Sequence, residues 1–389
     1  MTTAPDHPRR GANAARSRDH NRQLVLGQLH AGGALGRAEI ARRSGLTTQA
    51  VSNIIADLEA EGLLRPAGAA RGRRGLPAIQ YAVNPAGAYA LGVEIRPAAL
   101  LATLLDLGGG PVWQGRVAVE AADPDAVAAP LRALRDAALS AVPPGGGRVL
   151  GAGVAMPGPF GRTALSGQAT DLPGWQDADP AARLADMLDL DVVVENDANA
   201  AAMAERIALA PEGIDTFACL YFGTGLGLGI VQDGRLVLGA HGNAGEVGQI
   251  PIPGAAGGAV PLEHALSRAS VERHLRLSGR DAREMDAVAA LHARGDGAMR
   301  EWIATAAAAL SHVLTLIENM LDPRTVVLCG AMPAPVLRDV IAATALSPTV
   351  SRRPDATAPL RVGTCSRMAA ARGGAALMLS RAFTPALAA

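Results

Sequence analysis

Apolar positions recur along this chain with two periods, and the switches between them mark its parts. From residue 21 to 61 the spacing is helical. Leu24, Val25 and Leu29 share one face, Ile40 and Ala41 a second, and Val51, Ile54, Ile55 and Leu58 a third. The spacing predicts three helices, over 21–30, 37–44 and 48–61. Gly45 makes a tight turn between the last two, and Thr47 is the N-cap of the third. Residues 63–66 and 79–83 then read as strands around a Gly/Ala/Arg loop. After Asn84-Pro85 the pattern changes. Strands are expected at 89–95, 100–107 and 117–120, then a helix over 123–141 interrupted early by Pro130. A strand at 149–155 leads into the rigid turn Met156-Pro157-Gly158-Pro159.

The second half repeats the theme. Helix 180–188 precedes a β-branched strand, Val192-Val193-Val194. Strands at 217–222 and 229–231 flank the glycine loop 223–227, and Asp233-Gly234 signals a hairpin. A long helical stretch over 262–316 breaks near Ser278-Gly279 and near Gly295. A strand at 325–328 ends in Cys329-Gly330, followed by helix 335–345, strand 360–362 and helix 369–380. Strands ending in loops near 93, 154, 223 and 329 predict two similar α/β lobes facing a cleft. Glu195, Asn196, Asp197 and Asn199 cluster where a strand gives way to an Ala-rich helix. In an open α/β sheet such a junction is where ligands bind. The plainer reading is a helix cap by Asn196 or Asp197.

Composition narrows the choices. The chain has 389 residues, room for two or three domains, and no apolar run that approaches a membrane span. It shows no apolar signal segment, so a cytoplasmic location is expected. Cys219, Cys329 and Cys365 are far apart in sequence and read as reduced core thiols; no metal and no cofactor are expected. There is no lysine, which removes P-loop and Schiff-base lysines. Net charge is zero, yet residues 1–80 hold 12 Arg against 6 Asp/Glu. A basic head on an acidic body points to a polyanionic partner.

The head supplies the matching chemistry. Two helices around a short Gly turn form a helix-turn-helix. Thr47, Thr48, Gln49, Ser52 and Asn53 lie at or near the start of its second helix and are suited to base edges in a major groove. The strand–loop–strand that follows is a wing whose tip carries Arg71, Arg73 and Arg74, suited to phosphates and a minor groove. The alternatives are an ordinary amphipathic pair and a merely solvated basic loop.

These pieces in this order resemble the ROK family (repressors, open reading frames, kinases) in its regulator branch. The resemblance rests on the winged helix at 21–83, Val83-Asn84-Pro85, PGP at 157–159, LPGW at 172–175, ENDANA at 195–200, FGTGLGLGI at 222–230 and GAHGNAGEVG at 239–248. It implies an α/β fold: an N-terminal winged helix-turn-helix followed by two actin-like (ribonuclease-H-like) lobes with a cleft between them. The expected division is an unstructured arm at 1–19, the DNA-binding domain at 20–84, a first lobe from 85–197 with 369–389, and a second lobe at 198–368. Asn196 and Asp197 match sugar-binding positions, the Asp being the general base of the kinase branch. Glu246 matches a further hydroxyl ligand, and Glu263 matches the Glu that closes the family's cysteine motif.

This chain also departs from the family. Val93-Glu94-Ile95-Arg96-Pro97 stands where the kinases have a glycine phosphate loop, so phosphotransfer is not expected. The loop 223–227 then reads as a glycine-rich turn kept for lobe packing. Gln249 replaces the family's zinc-ligating and sugar-contacting histidine, and residues 253–259 replace its cysteine motif, so no structural zinc is expected. The resemblance implies a repressor of carbohydrate uptake or catabolic genes. Its expected partners are a double-stranded DNA operator, a sugar or sugar phosphate effector, and further copies of itself in a homodimer or homotetramer, with no membrane. A sugar kinase, or a regulator whose vestigial pocket leaves control to a protein partner, are the alternatives.

Overall fold

The computed structural model describes residues 14–70, 78–158, 172–175, 179–254, 257–352 and 359–383. Its head consists of α1 (Ala14–Gly32), β1 (Leu35–Gly36), α2 (Arg37–Ser44), α3 (Thr48–Ala60), β2 (Leu64–Ala70) and β3 (Ala78–Val83). The strands pair in the order β1-β3-β2. Gly45 closes α2 with φ 72°, a left-handed turn that glycine makes without steric cost. Thr47 caps α3 by accepting from the Ala50 N–H at 3.2 Å.

α1 starts earlier than its apolar face implies. Residues 14–19, expected in an unstructured arm, are its first turns. Alanines 14 and 15 favour helix, and Arg18 and Arg22 tie α1 to α3 through Asp57 (2.8 Å) and Glu61 (2.5 Å). Residues 1–13 of the expected arm, and wing residues Arg71, Arg73 and Arg74, lie outside the described residues.

The first lobe contains β4 (Ala88–Arg96), β5 (Ala99–Asp106), β6 (Pro111–Ala118), α4 (Pro124–Ser140), β7 (Arg148–Met156), α5 (Pro180–Leu188) and β8 (Val192–Asn196), followed by α6 (Asp197–Leu209). Two expectations change here. β6 begins six residues before the expected 117–120, because a turn held by Asp106, which accepts from Gly108 N and Gly110 N at 2.9 Å, reverses the chain early. α4 runs on through Pro130, which removes one internal hydrogen bond without ending the helix.

The second lobe contains β9 (Phe217–Phe222), β10 (Leu226–Gln232), β11 (Arg235–Leu236), β12 (Pro251–Pro253), β13 (Ala259–Pro261), α7 (Arg268–Leu277), α8 (Met285–Ala293), α9 (Gly297–Leu321), β14 (Val326–Gly330), α10 (Ala334–Ala343) and β15 (Leu360–Val362), followed by α11 (Ala369–Phe383). Among the described residues α9 alone is long and apolar enough to cross a membrane. Half of its apolar stretch is buried, and its own Trp302 and Leu310 lie in the lobe's core.

The two main sheets share one topology. Their orders are β6-β5-β4-β7-β8 and β11-β10-β9-β14-β15. In each, the first three strands are antiparallel and the last two add in parallel. The closing helices are exchanged. α6 leaves the first sheet and packs on β9 and β10, while α11 leaves the second sheet and packs on β4, β5 and β7. The two helices then lie against each other at very close range. A Cβ on Gly373 would collide with the Ala200 carbonyl, one on Gly92 with Ala371, and one on Gly229 with Ala198.

No boundary in the core separates head from body. One apolar cluster runs from Val25, Leu29, Ile40, Ile55 and Leu58 in the head to Ala88, Leu105, Met378, Leu379 and Phe383. His30 stacks on the Phe383 ring with centroids 4.4 Å apart, and Gln23 donates to the Arg381 carbonyl at 2.8 Å. A Cβ on Gly27 would press on the Phe383 carbonyl, so α1 and the end of α11 meet backbone to backbone.

Candidate functional site

The cleft begins where β8 becomes α6. Asn196 is the N-cap, its Oδ1 accepting from Ala198 N (2.9 Å) and Asn199 N (3.3 Å). Asp197, in the first turn, accepts from Ala198 N at 2.9 Å through Oδ1. Its Oδ2 faces the glycine loop, where a Cβ on Gly223 would lie 3.1 Å away. Both readings of the junction therefore apply: Asn196 caps, and Asp197 looks into the cleft. Burial raises the Asp197 carboxyl, and the negative charge of Glu94 adds to it. The Ala198 N–H and Arg96 only partly oppose them, Glu246 adds a little, and the carboxyl is pushed up to about 7.

Short helical turns place the opposite wall. Gln249 ends the turn Val247–Gln249, and Glu263 lies in the turn Leu262–His264. The backbone bond from Leu262 N to the Ile250 carbonyl (2.8 Å) ties the two segments. Gln249 Nε2 donates to Glu263 Oε1 at 2.9 Å. A Cβ on Gly225 would come within 2.5 Å of Glu263 Oε2, so this carboxylate also faces the glycine loop. Glu246 at the rim is raised by partial desolvation and by Glu263. Of the five residues expected to bind sugar, Asp197 and Glu263 thus face the glycine loop from two sides, Gln249 is bonded to Glu263, Glu246 lies near enough to act on Asp197, and Asn196 Oδ1 is occupied as the cap. They form an array rich in acceptors, suited to hydroxyl groups. A near-neutral Asp197 can both donate and accept.

One group was only half visible in the sequence. Glu94 and Arg96 alternate on β4 and so share a face. Arg96 grips Glu94 with two bonds (2.6 and 2.8 Å) and donates to the Arg367 carbonyl at 2.8 Å, just before α11. Tyr221 of β9 donates to Glu94 Oε1 at 2.5 Å. A buried charged group therefore bridges the two lobes beside Asp197. Burial alone would lower Arg96; Glu94 outweighs it and holds the guanidinium firmly charged. Burial and Glu94 push the Tyr221 hydroxyl well above its ordinary value. An acid and a base two residues apart in an apolar strand were the available signal. Nothing local points to Tyr221, 127 positions from Glu94.

The cysteines also gather in the fold. Cys219 and Cys329 lie on neighbouring strands with sulfurs 3.2 Å apart, and all three are free and buried. Cys365 follows β15, its N–H donating to the buried Glu205 at 2.9 Å. Among the described residues no group of three or more His, Cys, Asp or Glu is placed to hold a metal.

On the head, Thr47, Thr48, Gln49 and Asn53 are exposed at the start of α3, and Ser52 is half-buried beside them. Gln49 Nε2 donates to Asn53 Oδ1 at 3.0 Å. On α2, Arg42 and Arg43 are both held by Glu39.

Comparison with known proteins agrees with this architecture. Residues 133–381 match the ROK family, and residues 24–75 match the MarR family. The uncharacterized protein y4fQ of Sinorhizobium fredii is 28% identical over 354 residues, covering 90% of this chain and 88% of that protein. The xylose repressor of Bacillus subtilis is 23% identical over 232 residues, and the match spans 60% of each protein. A crystal structure of a ROK family transcriptional regulator, a homolog of the E. coli MLC protein, superposes with a TM-score of 0.70 at 20% identity. That match covers 95% of this chain and 98% of that one. With a MarR-like winged head, a duplicated actin-like body and a family match across most of that body, this chain belongs to the ROK family.

Proposed function

We propose that the chain is a DNA-binding transcriptional regulator that represses carbohydrate uptake or catabolic genes. In this reading a sugar or sugar phosphate in the cleft relieves repression, and the protein acts as a homodimer or homotetramer. The observation that carries it is the shared core of head and first lobe, with α11 contributing to both. A ligand that prefers one placement of the lobes also prefers one placement of the heads, and differential affinity is all that allostery requires. The acceptor array of Asp197, Glu246 and Glu263 supports a polyhydroxylated effector. The xylose repressors among the relatives place pentoses in the set to be tried.

The test is DNA binding by the full chain, with and without pentoses, hexoses, hexosamines and their phosphates. Sequence-specific binding weakened at least tenfold by one sugar, and insensitive to it in Asp197→Ala, is expected. Binding to no duplex under any condition overturns the reading.

The glycine loop 223–227 beside Asp197 favours a second reading, an ATP-dependent sugar kinase. Against it stands Pro97, which has no N–H to offer a phosphate. Turnover of ATP on any of these sugars, lost in Asp197→Asn, would select the kinase.

A further inference from the structure

We propose that Gln49 and Asn53 work as one hydrogen-bonded unit that reads the adenine of an A·T pair in each operator half-site. The inference rests on α3 being the recognition helix.

Three observations lead there. First, α3 carries no arginine, and Arg42 and Arg43 on the preceding helix are engaged by Glu39 (2.6–2.9 Å). α3 itself therefore has no fork of donors for the O6 and N7 of guanine. Second, the far half of α3 carries Asp57 and Glu59, and Asp57 and the C-cap Glu61 are held by Arg18 and Arg22 of α1. That half of α3 carries no cation of its own for phosphate, and the exposed first turns, with Thr48, Gln49 and Asn53, make the approach. Third, the 3.0 Å bond from Gln49 Nε2 to Asn53 Oδ1 fixes how the two amides face outward. It leaves the Asn53 Nδ2 hydrogens as donors and Gln49 Oε1 as an acceptor on one linked pair of side chains.

The major-groove edge of adenine presents an acceptor at N7 and a donor at N6, the complement of that pair. Holding the two side chains together before contact also reduces the entropy lost on binding.

The experiment starts with selection of duplexes from a random library by the full-length chain. Anisotropy on the enriched duplex then follows for wild type, Gln49→Ala, Asn53→Ala and the double variant. The enriched half-site should hold A·T under α3. Replacing its adenine with 7-deazaadenine should weaken the wild type about tenfold and leave Asn53→Ala unchanged. Each single variant should lose about ten- to a hundredfold on the selected duplex, and the double variant little more than either. Melting temperature should stay the same, since both residues are exposed. A G·C pair at that position, indifference to the deaza base, or losses that multiply in the double variant would overturn the proposal. Enrichment of no sequence would overturn the recognition-helix reading with it.

Discussion

Arg96 stands at a position where the sequence showed only an obstacle to phosphate. In the fold it neutralises Glu94, which is 1% exposed, and bonds across the lobes to the Arg367 carbonyl. Removing one partner of a buried pair leaves the other charged and unpaired, at a cost of about 3–5 kcal/mol. Arg96→Ala should lower the unfolding free energy measured in urea by that amount, and Glu94→Gln with Arg96→Met should regain most of it. Retention of full stability by Arg96→Ala would show that Glu94 finds another partner.

Asp197 makes a prediction of the opposite kind. Its carboxyl is raised from 3.8 to about 7 in the folded chain, so the folded state holds a proton that the unfolded state has released. Its contribution is full below pH 4 and is lost as pH rises through 7. Asp197→Asn should flatten that decline and make the protein more stable at pH 8. A gain on the order of 2 kcal/mol is expected, since the carboxyl keeps a face open to the cleft. Equal slopes for wild type and variant between pH 4 and 8 would contradict it. The cluster 195–199 was legible because a polar run at a strand end is a local signal. Gln249–Glu263 and Tyr221–Glu94 join residues 14 and 127 positions apart, and no local pattern reports such pairs.

At the scale of elements, most helices and strands could be read because period and caps are local properties. What could not be read is which sheet a helix covers. α6 and α11 each follow the fifth strand of one sheet and pack on the other. The Gly373-Gly374 pair costs α11 about 1 kcal/mol per residue in helix propensity. Contact with Ala200 and Gly153 explains its presence, since a methyl group at either position would strike backbone. Gly373→Ala should therefore destabilise by 3 kcal/mol or more, about the upper end for overpacking, although alanine is the better helix former. Thermal melts would check this, and an unchanged or raised midpoint would show that the two helices can part without penalty. The missed start of α1 has a similar origin, because its anchors, Asp57 and Glu61, lie on α3 and at its C-cap.

At the scale of the whole molecule, head and body are one cooperative structure at the junction of α1 and α11. His30 sits there, held below its ordinary value by burial and by the nearby Arg206 charge. A lowered folded value means that protonation favours the open form. The junction is at full strength above pH 6.5 and weakens as pH falls below it. Acidification from pH 7.5 to 5.5 should loosen the head in the wild type more than in His30→Phe, which keeps a ring against Phe383. Hydrogen exchange along α1 would measure the difference, and equal protection in both proteins would refute it.

The placement of α11 also bears on how the protein is made. About 290 residues separate the end of β3 from the start of α11. At roughly 5–20 residues per second, a ribosome needs about 15–60 s to cross that interval. Until it has done so, the apolar surface formed by Val25, Leu29 and their neighbours lacks the side chains of Met378, Leu379 and Phe383 that complete its cover. A nascent or prematurely terminated chain therefore carries an unfinished DNA-binding head and an apolar surface open to chaperones. Only a polypeptide translated through α11 has that cluster complete, so a truncated copy is marked by the apolar surface it leaves bare.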